Sequence, residues 1–334
     1  MDGTKVLANA SRHSAVSHGH AQGQMQLLEE QFAQLLAKAE QADSAPLEDG
    51  LSVPEEVARR KDRLGKLREA TAQIEARARE RHRGEMAEFE QKVARREAQR
   101  AAGSQPRGRE PKRPVEGPRS KGQYNFTDPQ SRIMKSGSGF EQSYNAQAGV
   151  EVQSRLIVSK GVSDAPNDKE QMEPGVAAAS PVIESIAAVL IDSGFYSEKA
   201  VAAVEMGDGA KPGCVKKSAK LFHAAGPKVY AATGRQHHGR SIEPLEKRAD
   251  PPKPEPGASA IEVMQHRLST KAGRALYALR KQTVEPVFGI IKAAMGFRRF
   301  SLRGLEKVRT EWTLVALSYN LKRLFHLGAR LQAA

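Results

Sequence analysis

Three carboxylates in the sequence stand where they could support chemistry on a phosphodiester. Asp2 opens the run DGTKVLANA, Asp192 ends the apolar run AAVLID, and Glu285 lies in a basic segment that reads as helix. Phosphodiester cleavage by two metals requires carboxylates that converge on a pair of divalent ions, and Mg²⁺ prefers oxygen ligands. Each carboxylate alone also has a structural interpretation, as a cap after a strand, a surface ion pair, or part of a frayed terminus.

The charge distribution predicts a polyanionic partner. Lys and Arg number 53 against 39 Asp and Glu, which gives a net charge of +14. The surplus is concentrated in residues 51–120, with 19 basic against 12 acidic side chains, and in residues 271–330, with 13 against 3. Residues 151–200 are acidic, with 8 against 4. This pattern favours nucleic acid over a membrane surface, although in residues 51–100 we interpret the charges as solvated helix faces.

Other polar side chains compete for a site. Asp128, Asp164 and Asp168 lie in Pro-containing runs that read as turns, and Asp128 is the reserve candidate for the first acid. The adjacent His237 and His238 have no second ligand pair at zinc spacing, so they either approach DNA or form a polar loop.

Composition excludes several classes of protein. Cys214 is the single cysteine, which rules out an intrachain disulfide framework and a cysteine-built zinc site. No apolar run approaches the roughly 18 residues that span a bilayer, and the N-terminus lacks a signal pattern. We therefore predict a cytoplasmic protein without a membrane partner.

The first third of the chain reads as helical. Apolar side chains at three- and four-residue steps predict an amphipathic helix over residues 25–42. Strong helix formers with alternating charge predict one or two helices over residues 52–100, with Ser52 as N-cap. Their thin apolar stripe favours a helical hairpin arm or a coiled-coil insertion. Residues 101–122 form a Pro/Gly/basic linker.

The remainder predicts strands that alternate with helices. Alternating side chains predict two antiparallel strands, 140–150 and 152–162, joined by a tight turn. A helix is predicted from about Pro181, and apolar runs predict buried strands at 187–192 and 228–232. Helices follow over residues 261 to 326, and the last is predicted to bury Trp312, Leu314, Val315, Leu317, Tyr319 and Leu321.

These elements predict an α/β fold, an RNase-H-like mixed sheet with flanking helices that a helical or coiled-coil insertion interrupts after the first strand. The predicted boundaries are residues 1–21 for the first strand segment, 22–100 for the charge-rich insertion, 101–122 for the linker and 123–328 for the main domain.

Five segments resemble one family, bacterial insertion-sequence transposases of the DDE class, which have an RNase-H-like catalytic domain. They are DGTKVLANASRH, TDPQSRIMKSGSGFEQSYNAQAGV, VLIDSGFYSEKAV, KVYAATGRQHHG and RKQTVEPVFGIIKAAMGFRRFSLRGLEKVRTEWTLVALSYNLKRL. The resemblance covers residues 1–21 and about 121–326, in the family's order. It implies that residues 123–328 are the DDE transposase catalytic domain.

The resemblance also implies a function and its parts. Asp2, Asp192 and Glu285 would be the first, second and third catalytic acids and would hold Mg²⁺ or Mn²⁺. The activity would be metal-dependent DNA strand cleavage and transfer during transposition of an insertion sequence. The partner would be double-stranded DNA, both the element's terminal inverted repeats and the target, and family analogy predicts a homodimer.

The family carries a Tyr-x2-Arg-x3-Glu-x6-Lys signature around the third acid. Lys292 has the required spacing from Glu285, and Lys281 stands at the Arg position, but the spacing of Tyr277 fits Arg280 instead. These four side chains and two arginines that follow them in the sequence are the predicted DNA contacts: Tyr277, Arg280, Lys281, Lys292, Arg298 and Arg299. The last two lie in GFRRFSLRG, which reads either as a nucleic-acid pattern or as helix-packing phenylalanines with solvated arginines.

Pro286 complicates the helix around the third acid. A proline disfavours helix at the preceding residue and removes a backbone donor. We expect the helix to restart, with Thr283 as N-cap and Pro286 in its first turn, in preference to a kink. Glu285 and Lys292 are then firmer candidates than Tyr277.

The start of the sequence gives one further expectation. In RNase-H-like transposases the first acid has strand residues before it, whereas only Met1 precedes Asp2. We therefore expect a truncated or mis-started reading frame with weak or no activity. The alternative function is a catalytically inactive remnant that retains DNA binding.

Overall fold

The chain divides into two compact units in a computed structural model. One unit comprises Met1–Asn9 and Gln130–Ala334, and the other comprises Ala10–Pro129. The structure describes residues 1–42, 52–106, 108–136, 139–183, 185–206, 226–234, 249–255 and 257–328.

Strands and helices are mixed along the chain, which confirms the α/β class. In chain order they are β1 (Asp2–Leu7), β2 (Ala15–Ser17), α1 (His18–Ala42), α2 (Val53–Ala101), β3 (Gln123–Asn125), β4 (Arg132–Ser136), β5 (Gly139–Val150), β6 (Ile157–Ser163), α3 (Met172–Ala179), β7 (Ala188–Ile191), α4 (Glu198–Met206), β8 (Lys228–Ala231), α5 (Ala260–Ser269), α6 (Lys271–Gly289) and α7 (Leu305–His326). Within the described residues, no helix is both long and apolar enough to cross a bilayer.

The larger unit is built around the antiparallel strand β5. β1 pairs with one side of β5, from Asp2 opposite Ala148 to Leu7 opposite Ser143, while β4 and β6 pair with the other side. The predicted antiparallel pair of strands is thus confirmed as β5 and β6. The second strand begins at Ile157 instead of residue 152, so a longer connection, residues 151–156, stands in place of the predicted tight turn. β5 is buried on both faces, because the alternating Tyr144 and Asn145 each have 0% of their surface exposed.

A second sheet in this unit confirms the two predicted buried strands. β7 and β8 are parallel, with Ala188 opposite Lys228 and Ile191 opposite Ala231. Their apolar side chains pack against α3, α4 and α5 in one cluster that includes Met172, Ile191, Phe195, Val204, Val229 and Met264. Burial on both faces explains why these strands read as short continuous apolar runs.

Two details differ from prediction. The antiparallel and parallel strands form separate sheets instead of one mixed sheet. Among the described residues, no ladder joins β1 to β7, although the Met1 amino group donates to the Leu190 carbonyl at 2.7 Å. The helix expected from about Pro181 is instead α3, which ends at Ala179. Proline has no backbone N–H with which to continue the hydrogen bonds of a helix, so Pro181 lies just after the end of α3.

Pro286 lies inside a continuous helix, so the predicted restart is wrong. α6 runs from Lys271 to Gly289, and its N-cap is Thr270, whose hydroxyl accepts from the Gly273 N–H at 3.0 Å. Thr283 does not cap, because its hydroxyl donates to the Leu279 carbonyl at 2.6 Å. The helix continues through a π-helical turn, Ile290–Ala294. Such turns absorb local disruption of the helical ladder.

The last helix buries a narrower set of side chains than predicted. Val308, Trp312, Ala316 and Tyr319 are buried, at steps of four, four and three residues. The predicted core residues Leu314, Leu317 and Leu321 are more than half exposed, because the helical period turns them to another face.

The smaller unit is a helical hairpin with a short two-stranded sheet, β2 with β3. α1 begins at His18, earlier than predicted, and α2 is one helix of 49 residues. Ser52 is its N-cap residue, although its side chain makes no cap hydrogen bond. The two helices bury Ala21, Leu28, Leu67, Ala70 and Ile74 against Tyr124 and Val16.

Replacing Trp312 should destabilise the larger unit most among single core changes. Its side chain is 1% exposed, stacks with Phe288, and donates from Nε1 to the Gln147 carbonyl at 3.0 Å. We expect Trp312→Ala to lower the free energy of unfolding by about 3–5 kcal/mol, measured by urea denaturation with circular dichroism. Leu314→Ala on the same helix is the control and should change it by less than about 0.5 kcal/mol. Equal effects would contradict this packing.

Candidate active site

The three predicted acids converge on one guanidinium group. Arg280 Nη1 lies 3.1 Å from Asp2 Oδ2, and Arg280 Nη2 lies 3.4 Å from Glu285 Oε1 and 3.9 Å from Asp192 Oδ1. Residues far apart in the sequence therefore meet around a single cation. The Arg280 side chain is only 9% exposed, so it is an internal part of this cluster.

Three different elements position the acids. Asp2 is the first residue of the β1 ladder, and its Oδ1 accepts from the Gly3 N–H at 2.9 Å. Asp192 directly follows β7 and caps a short 3-10 turn, where its Oδ1 accepts from the Ser193 N–H at 2.7 Å. Glu285 lies on α6, five residues after Arg280, and reaches back to the same guanidinium.

The electrostatics of the cluster are uneven. Burial raises the pKa of Asp2, and the nearby Asp192 carboxylate adds to that rise, while the Gly3 N–H and Arg280 oppose it. Asp192 and Glu285 are about half exposed, at 48% and 52%. One side of the cluster thus opens to solvent, and Asp2 with Arg280 forms its interior.

Two signature residues hold the strands that carry the acids. The Tyr277 hydroxyl donates to the Ile191 carbonyl at 3.2 Å, immediately before Asp192. Lys292 Nζ donates to Thr4 Oγ1 at 2.6 Å and to the Lys5 carbonyl at 2.9 Å, both on β1. Burial, with a smaller contribution from the Arg298 charge, lowers the pKa of Lys292.

Arg280 and Lys281 differ in their burial. Arg280 contacts the acids, whereas Lys281 is exposed on the outer side of α6. Arg298 and Arg299 are exposed on an extended segment next to β1, since the Leu7 N–H donates to the Arg298 carbonyl at 3.1 Å. Contact of these exposed residues with DNA stays a prediction.

The phenylalanines of GFRRF belong to the core. Phe300 is 1% exposed and packs edge-on against Tyr144 at 5.9 Å between ring centroids. Phe297 packs against Phe300 at 5.3 Å and against Trp312 at 6.1 Å. These rings are therefore not available to stack on bases, and their segment is extended instead of helical.

The cluster suits a divalent cation by the type of its donors. Three carboxylates supply the hard oxygen ligands that Mg²⁺ and Mn²⁺ prefer. In this structure, however, the acids are arranged around Arg280. Among the described residues, no three His, Cys, Asp or Glu side chains stand close enough together to hold a metal ion. The guanidinium supplies the positive charge that the carboxylates require in this arrangement.

Two of the rival carboxylates have partners away from the candidate site, and the third, Asp168, lies beside it. Asp128 is fully buried in the smaller unit, in a turn where its N–H donates to Asn125 Oδ1 at 3.2 Å. Asp164 pairs with Arg132 at 2.6 Å. Asp168, in contrast, reaches β1 and β5 beside the acids, which its place in a Pro-containing run did not indicate. His237 and His238 lie outside the described residues.

Comparison with known proteins gives one match. Residues 253–325 match the family model of a transposase DDE domain, a stretch that contains Tyr277, Arg280, Glu285 and Lys292. Asp2 and Asp192 lie outside it. No curated protein and no solved structure matches the chain. The similarity to a transposase DDE domain is thus confined to residues 253–325, which include the third predicted acid.

Proposed function

We propose that the chain is a transposase that cleaves and transfers DNA strands during transposition of an insertion sequence. The observation that carries the proposal is the meeting of Asp2, Asp192 and Glu285 around Arg280, three acids separated by most of the sequence. The family match covers the third acid, and the geometry supports the other two as its partners.

In this proposal Asp2, Asp192 and Glu285 hold Mg²⁺ or Mn²⁺. When bound, the metal ions would supply activation of a water or a 3′-hydroxyl and stabilisation of the leaving oxygen. Tyr277 fixes the end of β7 and Lys292 fixes β1, so both keep the acid-bearing backbones in place. Arg280 balances the acid charges from the buried side.

The same proposal extends to the fold and the partners. The order β1, β5, β6, β7, β8, with α3 between β6 and β7 and α4 between β7 and β8, supports an RNase-H-like catalytic domain, which the smaller unit would interrupt as an insertion. The excess of 13 basic over 3 acidic residues in residues 271–330 supports binding of double-stranded DNA, through Lys281, Arg298 and Arg299. We further propose that the chain acts as a homodimer in the cytoplasm, at the nucleoid, on the terminal inverted repeats of its element.

A nicking assay tests this function. The purified full chain is incubated with supercoiled plasmid and Mg²⁺ or Mn²⁺, and we expect nicked circles to form. None should form when EDTA has removed the metal before the reaction. Binding to a labelled duplex should weaken steeply as salt rises, because basic side chains release counterions from the phosphates.

DNA binding without nicking in either metal would contradict the enzymatic proposal. The chain would then be a DNA-binding remnant.

A further inference from the structure

Asp168 stands directly behind the two aspartates of the candidate site. A Cβ placed on Gly3 would lie 2.6 Å from Asp168 Oδ1, and one placed on Gly194 would lie 3.5 Å from Asp168 Oδ2. Each oxygen of this carboxylate therefore faces one glycine. Gly3 follows Asp2, and Gly194 lies two residues after Asp192.

The distance between the two aspartates needs such a support. Asp2 belongs to the antiparallel sheet and Asp192 follows the parallel one, and no ladder joins β1 to β7 in the described part. Among the described residues, the one main-chain link between these two strands is the hydrogen bond from the Met1 amino group to the Leu190 carbonyl, so side chains placed between the strands also contribute to the spacing. Arg280 acts from the buried side of the cluster, through the acids themselves. Asp168 lies beside Gly3, whose side-chain position faces the opposite side of β1 from that of Asp2.

Asp168 is itself held by buried amides on β5. Asn145 Nδ2 and Gln147 Nε2 each donate to Asp168 Oδ1 at 2.6 Å, and these two side chains are 0% and 4% exposed. Asn145 Nδ2 also donates to the Ala165 carbonyl at 3.2 Å, which ties the loop after β6 to the sheet. Lys5 Nζ lies 4.0 Å from Asp168 Oδ1 and supplies a compensating charge.

Gly3 follows from this arrangement. The carboxylate occupies the space that a side chain at residue 3 would require, and Gln147 Nε2 lies equally close, at 2.6 Å from that Cβ position. At Gly194 a Cβ would be in ordinary contact with Asp168, so this position would accept a side chain and still lie beside the carboxylate.

We infer that Asp168 is a positioning residue that sets the spacing of Asp2 and Asp192, and thereby the affinity of the site for a divalent metal. The inference rests on the proposed function only in taking these aspartates as metal ligands. Residues that hold metal ligands in place from behind change metal affinity about 10- to 100-fold when they are replaced.

Binding of Mn²⁺ to the full chain, measured by loss of the free-ion EPR signal, tests the inference without requiring activity. We expect Asp168→Ala to raise the Mn²⁺ dissociation constant about tenfold. Asp168→Asn should stay within about threefold of the wild type, because its amide oxygen still accepts from Asn145 and Gln147. Asp164→Ala is the matched control, since Asp164 lies in the same loop but pairs with Arg132, and it should leave Mn²⁺ binding unchanged.

The outcomes separate this inference from the proposed function. The inference is overturned if Asp168→Ala binds Mn²⁺ as tightly as the wild type does. It is also overturned if the wild-type chain binds no Mn²⁺. If Asp168→Ala does not fold, Asp168→Glu decides, because its longer side chain keeps the charge but pushes against Gly3. Weaker Mn²⁺ binding supports the inference, and unchanged binding overturns it. Another outcome is that the chain binds Mn²⁺ in a way that depends on Asp168 and yet does not nick DNA. That result supports the inference and contradicts only the proposed transposase activity.

Discussion

Replacing Asp192 by Asn should lower plasmid nicking about 10³-fold, because loss of one metal-holding carboxylate removes several kcal/mol of transition-state stabilisation. DNA affinity should stay within about twofold of the wild type, since Asp192 is an acid and its replacement removes no basic side chain that could contact a phosphate. Asp192 is 48% exposed and caps only a short turn, so the fold should tolerate the change. Nicking and gel-shift assays on the same preparation measure both quantities.

Two companion variants sharpen this result. Glu285→Gln should reduce nicking as strongly, because Glu285 meets the same guanidinium as Asp192. Asp164→Asn, which disturbs a salt bridge with Arg132 elsewhere in the unit, should nick like the wild type. Full activity in Asp192→Asn would remove this residue from the catalytic centre.

Arg280→Gln should destabilise the chain and make its stability depend on divalent metal. The change leaves three carboxylates without their shared cation, and Asp2 is the most buried of them, at 19% exposure. Removing one partner of a buried charge cluster costs 3–5 kcal/mol, and because two of the acids are half exposed we expect about 2 kcal/mol, or roughly 5 °C in Tm. Thermal unfolding with and without Mg²⁺ measures the effect.

Metal should reverse this loss. Mg²⁺ binds the folded state and can replace the missing positive charge, so it should raise the Tm of Arg280→Gln by more than it raises that of the wild type. Lys281→Gln, one residue away but exposed, is the control and should leave the Tm unchanged. A Tm of Arg280→Gln that matches the control would show that Arg280 is not a structural cation of the acid cluster.

The sequence predicted the elements that carry the acids but not all the contacts around them. The apolar run before Asp192 identified β7, because a strand buried on both faces leaves a continuous apolar signal. The choice between Arg280 and Lys281 could not be made from spacing, since both fit part of the signature and only burial separates them. The continuity of α6 through Pro286 was missed, because the packing of Val284 and Val287 outweighs the local preference of proline.

Asp168 illustrates the limit of local patterns. In the sequence it ends a Pro-containing run, which is typical of a turn, and indeed the Gln171 N–H donates to its carbonyl at 3.0 Å. Its side chain acts at long range, on Asn145 and Gln147 more than twenty residues earlier. The alternation of β5 predicted a strand, but it did not indicate that the polar positions Asn145 and Gln147 are buried and bind this carboxylate.

The central claim is that Asp2, Asp192 and Glu285 form one metal centre. Iron-directed cleavage tests it most directly. Fe²⁺ bound in place of Mg²⁺ reduces added hydrogen peroxide to hydroxide and a hydroxyl radical, ascorbate returns the iron to Fe²⁺, and the radicals cut the polypeptide beside the ion. We predict cuts next to residues 192 and 285 in the same preparation, suppressed by excess Mg²⁺ and absent in Asp192→Asn. Cuts at other positions, or cuts that persist in Asp192→Asn, would contradict the account.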